Sequence, residues 1–136
     1  MAHAIHGYSG ACKNIHGHSY ELHVTVSATV DHKTYIPSPG FIIDFKELKK
    51  QVQQDVIIHF DHKICLSKNF LATFPGCVTL PNLIIWEAEP TAENILITIQ
   101  QVLQKSFPEN VTLEYLKLFE TKDSYAEWIK DTIVSL

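Results

Sequence analysis

The chain has 136 residues, of which 46% are hydrophobic and 19% charged, with a formal net charge of −4 at pH 7; a single domain spanning 1–136 with its own core is expected. All eleven of its strong cations are lysines and none is arginine, and no basic patch stands out, so binding to a nucleic-acid phosphate backbone is not expected. No apolar run reaches the length of a bilayer span and no secretory signal pattern opens the sequence, while three cysteines cannot all pair. A cytoplasmic protein without a membrane partner is therefore expected.

The histidines are unevenly placed: five of the eight fall within the first 23 residues. Glycines mark residues 3–11 as a loop carrying His3 and His6. Then comes Cys12-Lys13-Asn14-Ile15-His16-Gly17-His18-Ser19-Tyr20, a thiol and two imidazoles leading into the longest alternating run of the chain. Over 19–30, Tyr20, Leu22, Val24, Val26, Ala28 and Val30 share one face, and Glu21, His23, Thr25, Ser27 and Thr29 the other, the period of a half-buried strand. The same parity carried backwards puts His16 and His18 on the buried face, with Gly17 leaving room for a close approach. Two imidazoles at i and i+2 on extended backbone suit two of the three protein ligands of a catalytic zinc, with His3 or His6 as the third. The pattern also fits two satisfied core histidines; the nearby thiol and a third upstream histidine weigh toward the metal.

Residues 31–40 read as a turn joining this strand to a short one at 41–43. Asp44 with Glu47 forms a capping box for a helix over 45–58, whose apolar stripe is Phe45, Leu48, Val52 and Val56. Residues 66–77 read as irregular and 83–86 as a buried strand. Thr91 caps a second helix that runs to about residue 106, Glu93 complementing its positive end. Strands are expected at 111–120 and 125–129. The order β-β-α-β-α-β-β makes an α+β domain with its helices on one face of the sheet.

Several side chains admit a chemical role beside a structural one. Cys12 near imidazoles and a metal would be a usable base or nucleophile, or else a small buried hydrophobe, which is the reading for Cys65 and Cys77. Asp61 could orient His62 for proton transfer, or the pair could sit at the surface. Glu120, at a strand end, could accept paired hydrogen bonds from a ring N–H and an adjacent amino group, or be solvated. His23 and His32 read as surface residues.

Taken in this order, Ala2-His3, Cys12-x-x-x-His16-Gly17-His18-Ser19-Tyr20, Gly40-Phe41-Ile42-Ile43-Asp44-Phe45, Phe60-Asp61-His62, Pro90-Thr91-Ala92-Glu93-Asn94 and Glu120-Thr121 resemble the 6-pyruvoyltetrahydropterin synthase / 6-carboxytetrahydropterin synthase family. The resemblance implies a tunnelling fold (T-fold), a four-stranded antiparallel sheet with two helices on one face. Its subunits associate through strand edges into trimers and then hexamers, with sites at subunit interfaces. It implies a Zn2+ held by His3, His16 and His18, catalysis by Cys12 with Asp61 and His62, and pterin binding by Glu120 with Glu93 and Thr91. The implied activity is that of a zinc-dependent lyase acting on 7,8-dihydroneopterin triphosphate. The three-residue gap between Cys12 and His16 resembles the bacterial carboxy enzymes of queuosine biosynthesis more than the animal pyruvoyl enzymes. Two departures stand out. The family's first strand precedes the Ala-His pair, so a His3 at the third position of this sequence is expected to fray easily. Without arginine, triphosphate must be met by Lys13, histidines and backbone N–H groups.

Overall fold

Alternation on β-strands and helical spacing on α-helices meet across one apolar layer. The computed structural model describes residues 1–30 and 34–130; His32 and the start of the expected 31–40 turn lie outside the described residues. Strand β3 (Glu21–Ser27) follows two very short strands, β1 (Ala2–His3) and β2 (His16–Gly17). It pairs antiparallel with β6 (Thr112–Thr121), which pairs antiparallel with β7 (Ser124–Ile129). The ladder sets Leu22 opposite Leu118 and Val24 opposite Leu116, so one face of this sheet is continuously apolar.

Two helical stretches cover that face. The first begins at Asp44, whose carboxylate accepts from the Lys46 backbone N–H at 2.7 Å. It comprises α1 (Phe45–Val52), a π-helical stretch over Gln53–Ile57, and a last turn, α2 (Ile58–Phe60), so it ends two residues later than its spacing predicts. The second is α4 (Ala92–Ser106), capped by the Thr91 side chain, which accepts from the Asn94 N–H. Ile95, Leu96, Ile99 and Leu103 of α4 are buried with Val56, Leu113, Leu116 and Leu118. The buried stripe drifts as helical periodicity requires, and Val102 beside it is 37% exposed.

Three expectations are corrected here. Residues 41–43 form no strand, and the antiparallel sheet has three strands among the described residues rather than four. An apolar triplet becomes a strand only where a sheet edge accepts its N–H and C=O groups, and Phe41 is instead half exposed. Residues 66–77 are not irregular. Strand β4 (Ile64–Ser67) leads into α3 (Lys68–Thr73), where Ser67 is the N-cap and accepts from the Phe70 N–H at 3.0 Å. Leu66 and Phe70 then fill a second apolar cluster with Ala4.

A His3 prone to fraying is also not observed. Strand β1 lies between β2, antiparallel, and β4, parallel, and β5 (Leu83–Trp86) continues this second sheet parallel to β4. The Ala2 N–H donates to the Lys63 carbonyl at 2.9 Å and the His18 N–H to the Met1 carbonyl at 3.1 Å. His3 itself is 2% exposed. The pattern of a two-residue strand carries no sequence signal, because its partners are 13 and about 60 residues away.

Leu116 is fully buried at the centre of the principal core, so Leu116→Ala should cost about 2–5 kcal/mol in urea unfolding; a loss well below that range would show that the α4–sheet layer is not the main core. Burial pushes the Cys65 thiol up to about 12. At neutral pH Cys65 should therefore resist iodoacetamide in the folded protein while Cys12 and Cys77 are modified, as peptide mass mapping would reveal.

Candidate functional site

The β1–β2 register places His3 directly opposite His16. Their ring centroids are 4.6 Å apart and their Nε2 atoms 3.1 Å apart. His18 completes the group, its ring centroid 5.4 Å from that of His3 and 4.8 Å from that of His16. The ligand atoms of the three imidazoles all lie within 4.8 Å of one another. Parity does carry both histidines of the His-Gly-His triplet inward, although regular pairing breaks between β2 and β3. Gly17 is not sterically required: a Cβ there would make only ordinary contacts, 3.7 Å from the Met1 carbonyl oxygen.

The outer nitrogens decide the tautomers. His3 Nδ1 lies 2.6 Å from the Pro90 carbonyl and His16 Nδ1 2.7 Å from the Asn14 carbonyl. A carbonyl only accepts, so both Nδ1 atoms carry the proton and both Nε2 atoms present lone pairs in the neutral rings. Two lone pairs 3.1 Å apart repel unless a cation lies between them. His18 Nε2 is buried with no hydrogen-bond partner among the described residues, an orphan of the kind a metal satisfies. Burial is the main cause that holds the His3 imidazole below its ordinary value; the Pro90 carbonyl and Glu120 act in the opposite direction without overcoming it. Three converging, oriented imidazoles are the donor chemistry of a divalent cation such as zinc, and these residues fit one.

Beside the imidazoles stands Glu120, near the end of β6. Its Oε1 is 3.6 Å from His18 Nε2 and its Oε2 3.9 Å from His3 Nε2. The Tyr20 hydroxyl donates to Oε2 at 3.3 Å. Burial first, and Glu120 second, hold the Tyr20 phenol well above its usual range, so it remains a donor. Tyr20 is the participant that residue-by-residue reading missed; its parity with His16 and His18 was the available signal.

Two cavities flank the cluster. One, of about 270 Å³, is lined by His3, Cys12, Thr91, Glu93, Glu120 and Tyr125. The other, of about 410 Å³, includes His18, Tyr20, Phe60, Asp61 and His62. The fold thus brings the three imidazoles, Cys12, Glu120, Glu93 and Thr91 together but leaves Asp61 and His62 outside the Cys12 cavity. That pair is formed, His62 Nδ1 being 2.9 Å from Asp61 Oδ1, yet the two side chains are 90% and 58% exposed. His62 adopts a φ of 56°, in the left-handed region, as the chain turns from α2 into β4. Thr91 spends its hydroxyl on the α4 cap, and Glu93 is an exposed first-turn acid that also borders the cavity. The rival histidine, His6, is held elsewhere, its Nε2 2.9 Å from Thr73 Oγ1 and its backbone N–H donating to Glu89 at 2.8 Å.

Comparison with known proteins agrees with this architecture. A protein from Rickettsia typhi named 6-carboxy-5,6,7,8-tetrahydropterin synthase is 29% identical, the match covering 92% of this chain and 90% of that one. A 6-pyruvoyl tetrahydrobiopterin synthase from Pongo abelii is 30% identical, covering 85% of this chain and 68% of that one. The crystal structure of 6-pyruvoyl tetrahydropterin synthase from Plasmodium vivax superposes with a TM-score of 0.62 at 18% identity, over 93% of this chain and 87% of that one, which places the chain in the same α+β tunnelling fold. The family model described as 6-pyruvoyl tetrahydropterin synthase matches residues 1–130. This chain belongs to the 6-pyruvoyl tetrahydropterin synthase family of pterin synthases.

Proposed function

We propose that this protein is a zinc-dependent lyase, a single pterin-synthase domain over 1–136, that converts 7,8-dihydroneopterin triphosphate to 6-carboxy-5,6,7,8-tetrahydropterin with release of acetaldehyde and triphosphate, in queuosine and 7-deazapurine biosynthesis. The observation that carries the reading is the convergence of three imidazole nitrogens beside a cavity that also holds Cys12 and Glu120. The three-residue Cys12–His16 gap and the relatives named 6-carboxytetrahydropterin synthase favour the carboxy product. A 6-pyruvoyltetrahydropterin synthase using the same residues is the second reading, favoured by the 30% identity to the primate enzyme. A non-catalytic pterin- or metal-binding oligomer is the third, and the retention of Cys12, Asp61 and His62 argues against it.

In this reading His3, His16 and His18 hold Zn2+, whose Lewis acidity lowers the pKa of hydroxyls bound to it. The Pro90 and Asn14 carbonyls keep two of those imidazoles in the ligating tautomer. Glu120 and Glu93 supply acceptors for the donor edge of the pterin, and the Thr91 backbone end of α4 borders the same cavity. Cys12 takes and returns protons at the side-chain carbons, and Lys13, exposed beside it, meets the triphosphate with backbone N–H groups. Asp61 and His62 line the second cavity, so a neighbouring copy is proposed to present its pair to Cys12. This suits a homo-oligomer built through strand edges, a hexamer made of two trimers, which would also cover the edge of β3 that is unpaired among the described residues and the exposed Phe41 and Phe45. No helix among the described residues is long and apolar enough to cross a membrane, and a cytoplasmic location with neither membrane nor nucleic-acid partners is proposed.

The deciding experiment is anaerobic incubation of zinc-loaded protein with dihydroneopterin triphosphate and mass spectrometry of the products. Carboxytetrahydropterin with acetaldehyde is expected; a pyruvoyl product would transfer the protein to the second reading. Cys12→Ala should lower turnover by about 10²–10⁴-fold, the usual contribution of a positioned proton-transfer group, with zinc content unchanged; undiminished turnover would remove Cys12 from the mechanism. Co-expressed Cys12→Ala and His62→Ala subunits should recover activity that neither variant has alone, since mixed interfaces regenerate intact sites. Failure of mixed assemblies to recover any activity would count against sharing of the site between copies.

A further inference from the structure

Glu120 is assigned above to the pterin, yet it stands against the imidazoles. Adjacent ligands of a tetrahedral zinc with bonds near 2.0–2.1 Å lie about 3.4 Å apart. One carboxylate oxygen, Oε1, is 3.6 Å from His18 Nε2 and the other, Oε2, is 3.9 Å from His3 Nε2, each somewhat longer than that separation. His18 Nε2 faces this carboxylate and has no hydrogen-bond partner among the described residues. The Tyr20 hydroxyl, 3.3 Å from Oε2, holds the carboxylate on the imidazole side, and the Tyr20 ring packs edge-on against the His3 and His18 rings. Glu120 also lines the cavity that holds Cys12 and Glu93, so the same group is reachable from the opening.

We infer that Glu120, positioned by Tyr20, is an exchangeable fourth ligand: it closes the metal site while the cavity is empty and leaves the metal when a pterin offers its N–H donors. This inference rests on the metal-dependent reading above. One carboxylate cannot serve both partners at full strength, so metal and pterin compete for it. The resting protein is then a closed four-ligand site, and binding of the substrate's donor edge is what opens the position at which side-chain hydroxyls arrive. By linkage, each partner weakens the other by the same factor.

The test uses the full chain, stripped of metal and reloaded. Zinc affinity is read by competition with a chromophoric chelator, and coordination by the visible absorption of the Co2+ form. Glu120→Gln should lower zinc affinity by at least about tenfold, the range seen when groups supporting a site are removed, and should change the Co2+ spectrum. Tyr20→Phe should lower zinc affinity more modestly while keeping the wild-type spectrum. Saturating pterin without a 6-substituent, which has no side-chain hydroxyls, should weaken zinc binding in the wild type and not in Glu120→Gln. Weaker binding in Glu120→Gln with an unaltered Co2+ spectrum would mean that the carboxylate acts through its charge alone and would overturn ligation. An unchanged zinc affinity in the presence of pterin would overturn the exchange. If the wild type binds metal and His16→Ala does not, while Glu120→Gln matches the wild type in affinity and spectrum, only the fourth-ligand assignment fails. A wild type that binds neither ion removes the metal reading itself.

Discussion

The structure turns on two imidazole nitrogens that present their lone pairs to each other. His3 and His16 each give their Nδ1 proton to a backbone carbonyl, of Pro90 and Asn14 respectively. That fixes the tautomers and leaves the Nε2 atoms 3.1 Å apart. With the third imidazole these nitrogens form a cluster that could hold a metal ion. Much of the second sheet exists to hold this contact. Strand β1 is only two residues long, but with β2 on one side and β4 on the other its His3 cannot turn away.

The same cluster divides the interior. Cys12, Glu120 and His3 line one cavity, and Asp61, His62 and His18 another. The Asp61–His62 pair is exposed, while the Tyr20–Glu120 contact is half-buried. Burial sorts the groups by task. Burial holds the His3 imidazole below and the Tyr20 phenol above its ordinary range, whereas Cys12, Lys13, Asp61 and His62 sit at half-exposed or exposed positions.

The helices enter the site indirectly. The fifteen residues of α4 bury Ile95, Leu96, Ile99 and Leu103 against the three-stranded sheet, and its start is fixed by the Thr91 cap. Pro90, immediately before that cap, is fully buried and offers the carbonyl that orients His3. Core packing thus sets the position of a carbonyl 87 residues along the chain from the imidazole it controls. Damage to the α4 core would therefore reach the imidazoles through Pro90, with no change to any ligand.

Local signals in the sequence determined much of this. Alternation after Tyr20 marked β3 and the inward parity of His16 and His18; Asp44 and Thr91 marked the two helix starts; and the spacing of Cys12 with His16-Gly17-His18, joined to the later motifs, was enough to point to the pterin-synthase family. What the sequence alone left open depended on partners far along the chain. His3 and His6 are equivalent candidates in a glycine-rich loop until β1 docks between β2 and β4 and carries one of them inward. Residues 41–43 look like a strand but pair with no sheet edge among the described residues, whereas 64–67 become one because β1 and β5 accept them. Tyr20 reads as an ordinary core residue until tertiary packing brings Glu120 within 3.3 Å of its hydroxyl. Periodicity records which way a side chain points; only the closed fold decides what it meets there, because that depends on contacts whose cost in chain entropy is repaid by burial across the whole domain.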